Sequence, residues 1–310
     1  MPRNMKTKLA GWTTTKDLST IIENCEKFNQ GRTYEIFGEY CNLTPNILKE
    51  RGAHCWLYYE NEKLRGFALG RRKRGILLRM GDNFIFEEVW GPCDGLSNEL
   101  GQPSKRDNER ILKFKKLLNS TKWKSLIVLR AATDNQFAHM IARALGAKWI
   151  NGLIIAERTL NKKVKFSNPK GYKLRMFEDG DQFCMSKIHE ETFKERCKPK
   201  ICKVWATAAN CRTIIATYCK KPIGFIIAEK RRCNSLGDFN IAVKPCHHNK
   251  GVGSALLKAA FNVFIDMNVQ RVIADYLILN APAHRLYQKH GFKPKRIYNY
   301  FLIQGKFNNH

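Results

Sequence analysis

A loop with two closely spaced glycines is the strongest chemical signal in the sequence. A strand-like run ends at Val243, and the loop that follows contains Gly251 and Gly253 before an amphipathic helix begins. Glycine has no Cβ, so the backbone can approach a ligand closely, and the first turn of a helix presents unpaired N–H groups. The loop therefore predicts a site for an anion such as a pyrophosphate. A G-x-G loop alone also occurs in several unrelated folds and in ordinary tight turns.

A second motif further along the chain has the features of a short capped helix. Asn280 is a favourable N-cap residue, and Gly291 suits the left-handed position after the last helical turn. Between them, Leu286 and Tyr287 fall on one face of the helix. The spacing predicts a helix over 281–289 with a tyrosine on its apolar side.

Together, the two motifs resemble the GNAT (GCN5-related N-acetyltransferase) superfamily. The family pattern is a strand that ends in Val, a Q/R-x-x-G-x-G/A pyrophosphate loop and then N-x-x-A-x-x-L-Y-x-K-x-G-F. His248 stands where the family usually has Gln or Arg. The resemblance implies acetyl-CoA as the cofactor, with these residues as its binding site: Ile241, Ala242, Val243, His248, Asn249, Lys250, Gly251, Val252, Gly253, Ser254, Asn280 and Tyr287.

The reaction that this resemblance implies is direct attack of an amine on a thioester. The backbone around Ala242 and Val243 would stabilise the developing oxyanion, and Tyr287 would protonate the leaving thiolate. A phenol with a pKa near ~10 suits a thiol with a pKa near ~8.5. The alternative for Tyr287 is an amphipathic core tyrosine without a catalytic role.

The general base is less well defined by the sequence. Asp238 and Glu229 lie on strands that would border the cleft, and family members place a Glu at or near the position of Asp238. Strand alternation puts Asp238 on the face opposite Phe239 unless a bulge intervenes. Glu190 and Glu191 lie on a helix that borders the acceptor site in this fold. For each acid, a solvated surface position is the alternative.

The second motif also recurs in the first half of the chain, over residues 123–149. The matched pairs are Asn135 with Asn280, Ala138 with Ala283, Ile141 with Leu286, Gly146 with Gly291 and Lys148 with Lys293. Ala142 stands at the position of Tyr287, and the strand-like run 84–90 is followed by no G-x-G. We interpret the first half as a degenerate copy that has lost the tyrosine and the loop. The sequence therefore predicts two domains, a degenerate one at 1–165 and a catalytic one at 166–310.

The predicted fold class is α/β with two tandem GNAT-like domains. Each domain has a central, mostly antiparallel mixed sheet, flanking helices and, as the resemblance implies, a splayed parallel strand pair whose strand 237–244 offers backbone groups to the pantetheine arm. For the second half, the predicted elements are strand 171–177, helices 180–196 and 199–209, strands 211–219, 223–231 and 237–244, helix 251–267, strand 270–277, helix 281–289 and strand 296–303.

The chain is strongly basic, with 55 Lys and Arg against 27 Asp and Glu and a formal net charge of +28. This charge is either a solvated surface or a contact for a polyanion such as RNA or a ribosomal particle. The basic clusters are Lys194 to Lys203, Lys220/Lys221, Lys230/Arg231/Arg232, Lys293/Lys295/Arg296 and, in the first half, Arg71/Arg72/Lys73/Arg74. No RNA-recognition, zinc-finger or helix-turn-helix pattern indicates a sequence-reading role.

The remaining composition suggests a cytoplasmic protein without a metal centre. No apolar run approaches the ~18–20 residues that span a bilayer, and no signal-peptide core follows Met1. The 11 cysteines include no C-x-x-C, and residues such as Cys55, Cys184 and Cys219 lie in apolar runs, which predicts reduced, buried thiols. A gathering of Cys197, Cys202 and Cys211 with Cys246, His247 and His248 around a metal is the less favoured interpretation, because the spacings match no common zinc site.

Three functions remain open on the sequence alone. The first is an acetyl-CoA-dependent N-acyltransferase, with a protein N-terminus, a lysine, a polyamine, an aminosugar or an RNA base as acceptor. The second is a non-catalytic RNA- or ribosome-binding protein that retains the fold. The third is an aminoacyl-tRNA-dependent transferase, against which the retained loop argues.

Overall fold

The computed structural model describes residues 11–15, 53–60, 63–74, 82–91, 103–120, 126–231 and 236–303. Packing divides the chain into two compact units. The first unit takes the chain up to Leu153 and again from Arg296 onwards, and the second takes Ile154–Lys295. The predicted domain boundary at 165/166 stays a prediction. The compact units divide the chain at two other places, between Leu153 and Ile154 and between Lys295 and Arg296.

The described elements follow one another along the chain in this order: β1 (Gly11–Thr15), β2 (Ala53–Glu60), β3 (Lys63–Arg74), β4 (Asp82–Trp90), α1 (Lys105–Ser120), β5 (Leu126–Ala132), α2 (Gln136–Ala144), β6 (Lys148–Thr159), β7 (Tyr172–Met176), α3 (Asp181–Phe193), α4 (Pro199–Thr207), β8 (Cys211–Tyr218), β9 (Lys221–Lys230), β10 (Leu236–Val243), a 3₁₀ turn (Pro245–His247), α5 (Val252–Asp266), β11 (Arg271–Leu277), α6 (Ala281–Lys289) and β12 (Lys293–Ile303). In the second half, every predicted strand and helix is confirmed, with ends that differ by at most three residues.

Within its described residues, the first unit is a mixed sheet with two helices. Strands β1 to β4 pair antiparallel, and β5 pairs parallel with β4 on one side and antiparallel with β12 on the other. The core is built largely of aromatic rings that the helices cover, including Trp56, Phe84, Phe86, Phe114 and Phe137. Edge-to-face and tilted contacts, such as the 5.1 Å between the ring centroids of Phe84 and Phe86, give this core its density.

The second unit is also a mixed sheet, with the strand order β11-β10-β9-β8-β7. Strands β7 to β10 pair antiparallel, and β10 pairs parallel with β11. Helices α3 and α4 pack on it around Met185, Ile188 and Phe225. The buried face of α5 includes Phe261 and Phe264. The predicted class, a mixed sheet of parallel and antiparallel strands with flanking helices, is confirmed.

The predicted internal repeat is visible in local geometry. The side chains of Asn135 and Asn280 each accept a hydrogen bond from the backbone N–H three residues later, at 3.0 and 3.2 Å. Each cap starts a nine-residue helix, α2 or α6. Gly146 and Gly291 follow these helices with φ of 59° and 73°, in the left-handed region that favours glycine. The two copies of the motif therefore fold in the same way.

Gly237 in β10 is packed so closely that no room is left for a larger side chain. A Cβ at this position would lie 2.7 Å from the ring of Phe264 and 2.9 Å from Cγ1 of Val269. We expect Gly237→Ala to lower the free energy of unfolding by about 1–3 kcal/mol, because the ring of Phe264 must shift away from the strand. Urea unfolding of the full chain measures this change as a lower midpoint at an unchanged slope.

The matched control is Gly253→Ala. A Cβ at Gly253 would lie 3.5 Å from Cδ2 of Leu286, which is an ordinary contact. This variant should therefore unfold within about 1 kcal/mol of the parent protein. Equal midpoints for Gly237→Ala and the parent would contradict the packing argument.

Candidate functional site

A gap between two parallel strands forms the centre of the site in the second unit. Strands β10 and β11 pair only at Leu236 with Arg271 and at Gly237 with Val272, although β10 continues to Val243. On its other side, β10 stays paired with β9 as far as Val243 opposite Gly224, without a bulge. The two parallel strands therefore separate, as predicted, and one side of β10 is left without a strand partner.

The register decides which backbone groups of β10 face this gap. The N–H of Lys244 donates to the carbonyl of Ile223 at 2.8 Å. In an antiparallel pair the N–H groups of successive residues point to alternate sides, so the N–H of Ala242 also points to β9. The N–H groups of Ile241 and Val243 point into the gap. Of the predicted backbone donors, Val243 therefore faces a ligand in the gap, whereas Ala242 belongs to the ladder with β9.

Tyr287 lies at this gap, packed within a cluster of aromatic side chains. Its ring centroid is 5.6 Å from Phe239 of β10, 5.2 Å from Tyr276 of β11 and 5.5 Å from Phe292. The residue is only 6% exposed, and burial, reinforced by nearby carboxylates, raises the pKa of its phenol above the ordinary value. No described residue hydrogen-bonds to the hydroxyl. The phenol is thus protonated at neutral pH and can donate to a ligand.

The predicted base Asp238 is held by a cation. Arg231 forms an ion pair with its carboxylate, and the backbone N–H of Phe239 donates to the same group at 2.7 Å. Because β10 has no bulge here, Asp238 lies on the face opposite Phe239, as alternation predicts. Arg231 occupies this carboxylate, and against the effect of burial the pKa of Arg231 is raised by Asp238 and other acids.

The other predicted acids lie at the surface. Glu229 is the direct cross-strand partner of Asp238, and its exposed carboxylate accepts from the side-chain amide of Asn210 at 3.2 Å. Glu190 is exposed, and Glu191 is 3.4 Å from the ammonium of Lys244. Asp238 and Glu229 share a face of the sheet that is not the face of Phe239, the residue of β10 whose ring contacts Tyr287.

The predicted pyrophosphate loop has the backbone geometry of a tight cradle. Asn249 and Gly251 have φ of 59° and 79°, so the chain turns twice through the left-handed region before α5 begins at Val252. Gly251 is the N-cap of α5 and provides no side chain, so no side chain caps the N–H groups of the first turn, at Val252, Gly253 and Ser254. Lys250 is exposed beside them. This end of the helix is suited to an anion.

The two histidines of the loop hold it in place through contacts with residues outside the loop. Nε2 of His248 is 2.7 Å from the carbonyl oxygen of Val243, and Nδ1 of His247 is 2.9 Å from the hydroxyl of Tyr172. His248, at the position usually held by Gln or Arg, therefore ties the loop back to β10. Ser254 is engaged as well, because its hydroxyl lies 2.8 Å from Nε2 of His290.

Asn280, a predicted cofactor residue, is exposed, and its side-chain oxygen is used as the cap of α6.

Three residues at the gap were not predicted as site residues, namely Thr192, Tyr276 and His284. Thr192 of α3 donates from its hydroxyl to the carbonyl of Val243 at 3.2 Å, and Tyr276 contacts His284 at 3.2 Å between the hydroxyl and Nδ1. The available signal for Tyr276 was its place in the strand-like run that leads into the second motif.

The cysteines are only partly buried. Cys55 is buried as predicted, but Cys184 is half-buried, and Cys219 is exposed in the β8–β9 turn because its φ of 47° belongs to the turn and not to the strand. Cys197 and Cys202 are buried free thiols with 3.2 Å between their sulfurs. In the part of the chain that the structure describes, no group of three or more His, Cys, Asp and Glu side chains could hold a metal ion.

Among the helices of the described residues, none has the length and apolar character to cross a membrane.

Comparison with known proteins identifies a domain in the second half of the chain. The family model of the acetyltransferase (GNAT) domain matches residues 209–294, the segment that contains the gap, the loop and Tyr287. A search of curated proteins finds no match to this chain.

Solved structures share the fold. A GCN5-related N-acetyltransferase from Sphaerobacter thermophilus is 13% identical with a TM-score of 0.64, over 96% of this chain and 97% of that one. A tandem GNAT protein from the clavulanic acid biosynthesis pathway is 13% identical with a TM-score of 0.58, over 84% and 87%. A GNAT-family acetyltransferase from Colwellia psychrerythraea is 9% identical with a TM-score of 0.59, over 94% and 99%. Residues 209–294 thus match a GNAT domain, and the chain shares its fold with solved GNAT proteins.

Proposed function

We propose that the chain is an acetyl-CoA-dependent N-acyltransferase whose active site is the gap between β10 and β11. The observation that carries this proposal is the early end of β10–β11 pairing, after Gly237 and Val272, together with the ring of Tyr287, which contacts both strands at Phe239 and Tyr276. A strand edge of this kind offers N–H groups to a ligand, and a buried phenol without a hydrogen bond offers a proton. The GNAT fold and the domain match support the same activity.

The residues present fit the cofactor at two places. The unpaired N–H groups of Ile241 and Val243 suit the amide groups of a pantetheine arm, and the uncapped first turn of α5 behind Gly251 suits a pyrophosphate. When bound, acetyl-CoA supplies the thioester whose acyl group is transferred.

The chain's own groups have separate tasks in this proposal. The N–H of Val243 donates a hydrogen bond to the oxygen of the acyl group, on which negative charge develops during transfer. Tyr287 holds a proton on its hydroxyl until the sulfur of the leaving group needs it. The rings of Phe239 and Phe292 around Tyr287 keep water away from that hydroxyl. Neither predicted base is assigned this role, because Arg231 occupies the carboxylate of Asp238 and Glu229 lies exposed on the same face of the sheet, away from Phe239.

The first unit has a different role in this proposal. It lacks the loop, and Ala142 stands where the second unit has Tyr287, so we infer that acetyl-CoA binds only the second unit. The acceptor is an amine whose class the site does not define.

The decisive experiment follows acetyl-CoA directly. Full-length protein is incubated with acetyl-CoA and a panel of amines, namely polyamines, aminosugars and peptides with free N-termini or lysines, and CoA is quantified by chromatography. Thiol dyes are avoided because Cys219 and Cys246 are exposed and would react. We expect CoA release that depends on one class of amine, with acetylated product of matching mass. Protein that binds no acetyl-CoA in calorimetry would rule the proposal out.

The alternative is a non-catalytic RNA- or ribosome-binding protein. It rests on the net charge alone, and the side chains of Arg71/Arg72/Lys73/Arg74 lie outside the described residues. No contact at the gap favours it over acyl transfer.

A further inference from the structure

A basic cavity lies in the second unit, outside the predicted cofactor loop. Its volume is about 670 Å³, and it is lined by residues from 157 to 159 at the end of β6 and by residues between 289 and 295, where α6 passes into β12. None of the loop residues from 245 to 254 lines it. Cavities of this size hold small-molecule ligands.

The charges of the lining are almost all positive. Arg158, Lys289, Lys293 and Lys295 contribute cations. Glu157 contributes the one acid of this lining, and its carboxylate is already 3.4 Å from the guanidinium of Arg271. The three lysines form no ion pair with any described residue. A concave surface of this kind concentrates the positive potential and attracts anions.

Arg158 is the part of the lining that is removed from water. It is half-buried, its guanidinium carbon lies 4.3 Å from the ring centroid of Phe261, and it donates to the carbonyl of His290. Burial lowers its pKa, and no described carboxylate pairs with it. A partly desolvated guanidinium without a counter-ion is poorly stabilised. A bound anion would provide the missing partner.

The imidazole of His290 adds no charge. Burial and the neighbouring cations Lys258, Arg158 and Lys289 lower its pKa to about 4, so it is neutral near pH 7. Its Nε2 contacts the hydroxyl of Ser254. The cations of the lining are therefore the guanidinium and the three ammonium groups, which are the groups that proteins use to bind phosphate.

We propose that this cavity binds the phosphate groups of a ligand other than acetyl-CoA. Recognition is through phosphate and not through a base, because Phe261, the aromatic ring at Arg158, is already covered by that guanidinium. The cations line a concavity and not a flat face, which suits several linked phosphates. Two sources share this chemistry: a small polyphosphate and the phosphodiester backbone of single-stranded RNA. The proposal does not depend on the acyl-transfer activity.

Calorimetry with inorganic tripolyphosphate tests the site in the full-length protein at about 50 mM salt, a low ionic strength that leaves surface charges weakly screened. The test variant is Lys289→Gln/Lys293→Gln/Lys295→Gln, which removes three charges and keeps side-chain length. The control is Lys173→Gln/Lys220→Gln/Lys221→Gln, which removes the same charge from exposed positions on β7, in the β8–β9 turn and at the start of β9. Thermal unfolding checks that both variants are folded.

We expect tripolyphosphate to bind the parent protein with and without saturating acetyl-CoA. Binding should weaken roughly 10- to 100-fold in the test variant and less than about 3-fold in the control. Equal losses in the two variants would reduce the effect to bulk charge and overturn the proposal. Displacement by acetyl-CoA would assign the phosphate site to the cofactor and would also overturn it, as would a lack of binding.

A second titration, with an oligouridine, distinguishes the two sources. An oligouridine that competes with tripolyphosphate, and whose log affinity falls with log salt at about −0.7 per phosphate contacted, identifies the RNA backbone as the ligand. An oligouridine that leaves tripolyphosphate binding unchanged identifies a small polyphosphate. Both results support the phosphate site.

Discussion

Replacing Gly253 by tryptophan should abolish acetyl-CoA binding and leave the sheet of the second unit folded. Gly253 lies in the first turn of α5, where N–H groups without a side-chain cap are available to a pyrophosphate. An indole there would occupy the space that the ligand needs. We expect the dissociation constant to rise at least about 10²-fold, or about 2.7 kcal/mol. Calorimetry with acetyl-CoA measures this change.

The matched control is again Gly253→Ala. Its Cβ makes only an ordinary contact with Leu286, so the variant should stay folded and keep more affinity than the tryptophan variant. Far-ultraviolet circular dichroism and thermal unfolding verify the fold of both variants. If the tryptophan variant is folded and binds acetyl-CoA as the parent does, the loop is not the pyrophosphate site.

Replacing Tyr287 by phenylalanine should lower kcat by roughly 10²-fold with little change in the dissociation constant of acetyl-CoA. The aromatic contacts with Phe239, Tyr276 and Phe292 are retained, and only the hydroxyl is lost. Because the pKa of the phenol is raised, we also expect no loss of activity through its deprotonation as the pH rises from 7 to 9. Steady-state kinetics with the amine found in the acceptor panel measures both effects.

Tyr298→Phe is the control for losing a buried phenol. Tyr298 is fully buried in the first unit and should affect kcat far less, although it can affect stability. Equal kcat values for Tyr287→Phe and the parent would make Tyr287 a packing residue, which is the alternative that the sequence left open.

The features that could be predicted from the sequence are those set by local chemistry, such as helix caps, helix ends and strand alternation. Asn135 and Asn280 cap helices because a short polar side chain reaches the N–H three residues on, and Gly146 and Gly291 end them because they adopt positive φ. Strand alternation also predicted that Asp238 lies opposite Phe239 unless a bulge intervenes, and the register of β10 has no bulge. Such rules act within a few residues, so a single sequence contains them.

Contacts between distant segments were not predictable in the same way. The ion pair of Arg231 with Asp238 changes the role of a predicted base, and it depends on how β9 and β10 meet. His248 turns its imidazole back to Val243 because the loop folds over the end of the strand. The basic cavity joins Arg158 of β6 to Lys289 of α6, which are far apart in sequence. These contacts are set by tertiary packing, and the periodicity of a single sequence does not predict which distant side chains meet.

The asparagine cap of the first unit has a consequence for anyone who wishes to restore a second active site. Besides capping α2, Asn135 donates from its side-chain amide to the carbonyl of Val89 at 2.9 Å, which fastens the helix to the end of β4. Next to this link, the ring of Phe137 lies so close to Gly91 that a Cβ there would be 2.8 Å away. The end of β4 is thus hydrogen-bonded to α2 and covered by the ring of Phe137. Grafting the glycine loop and a tyrosine at Ala142 would therefore not be enough to restore a site in this copy, because core side chains would first have to be removed.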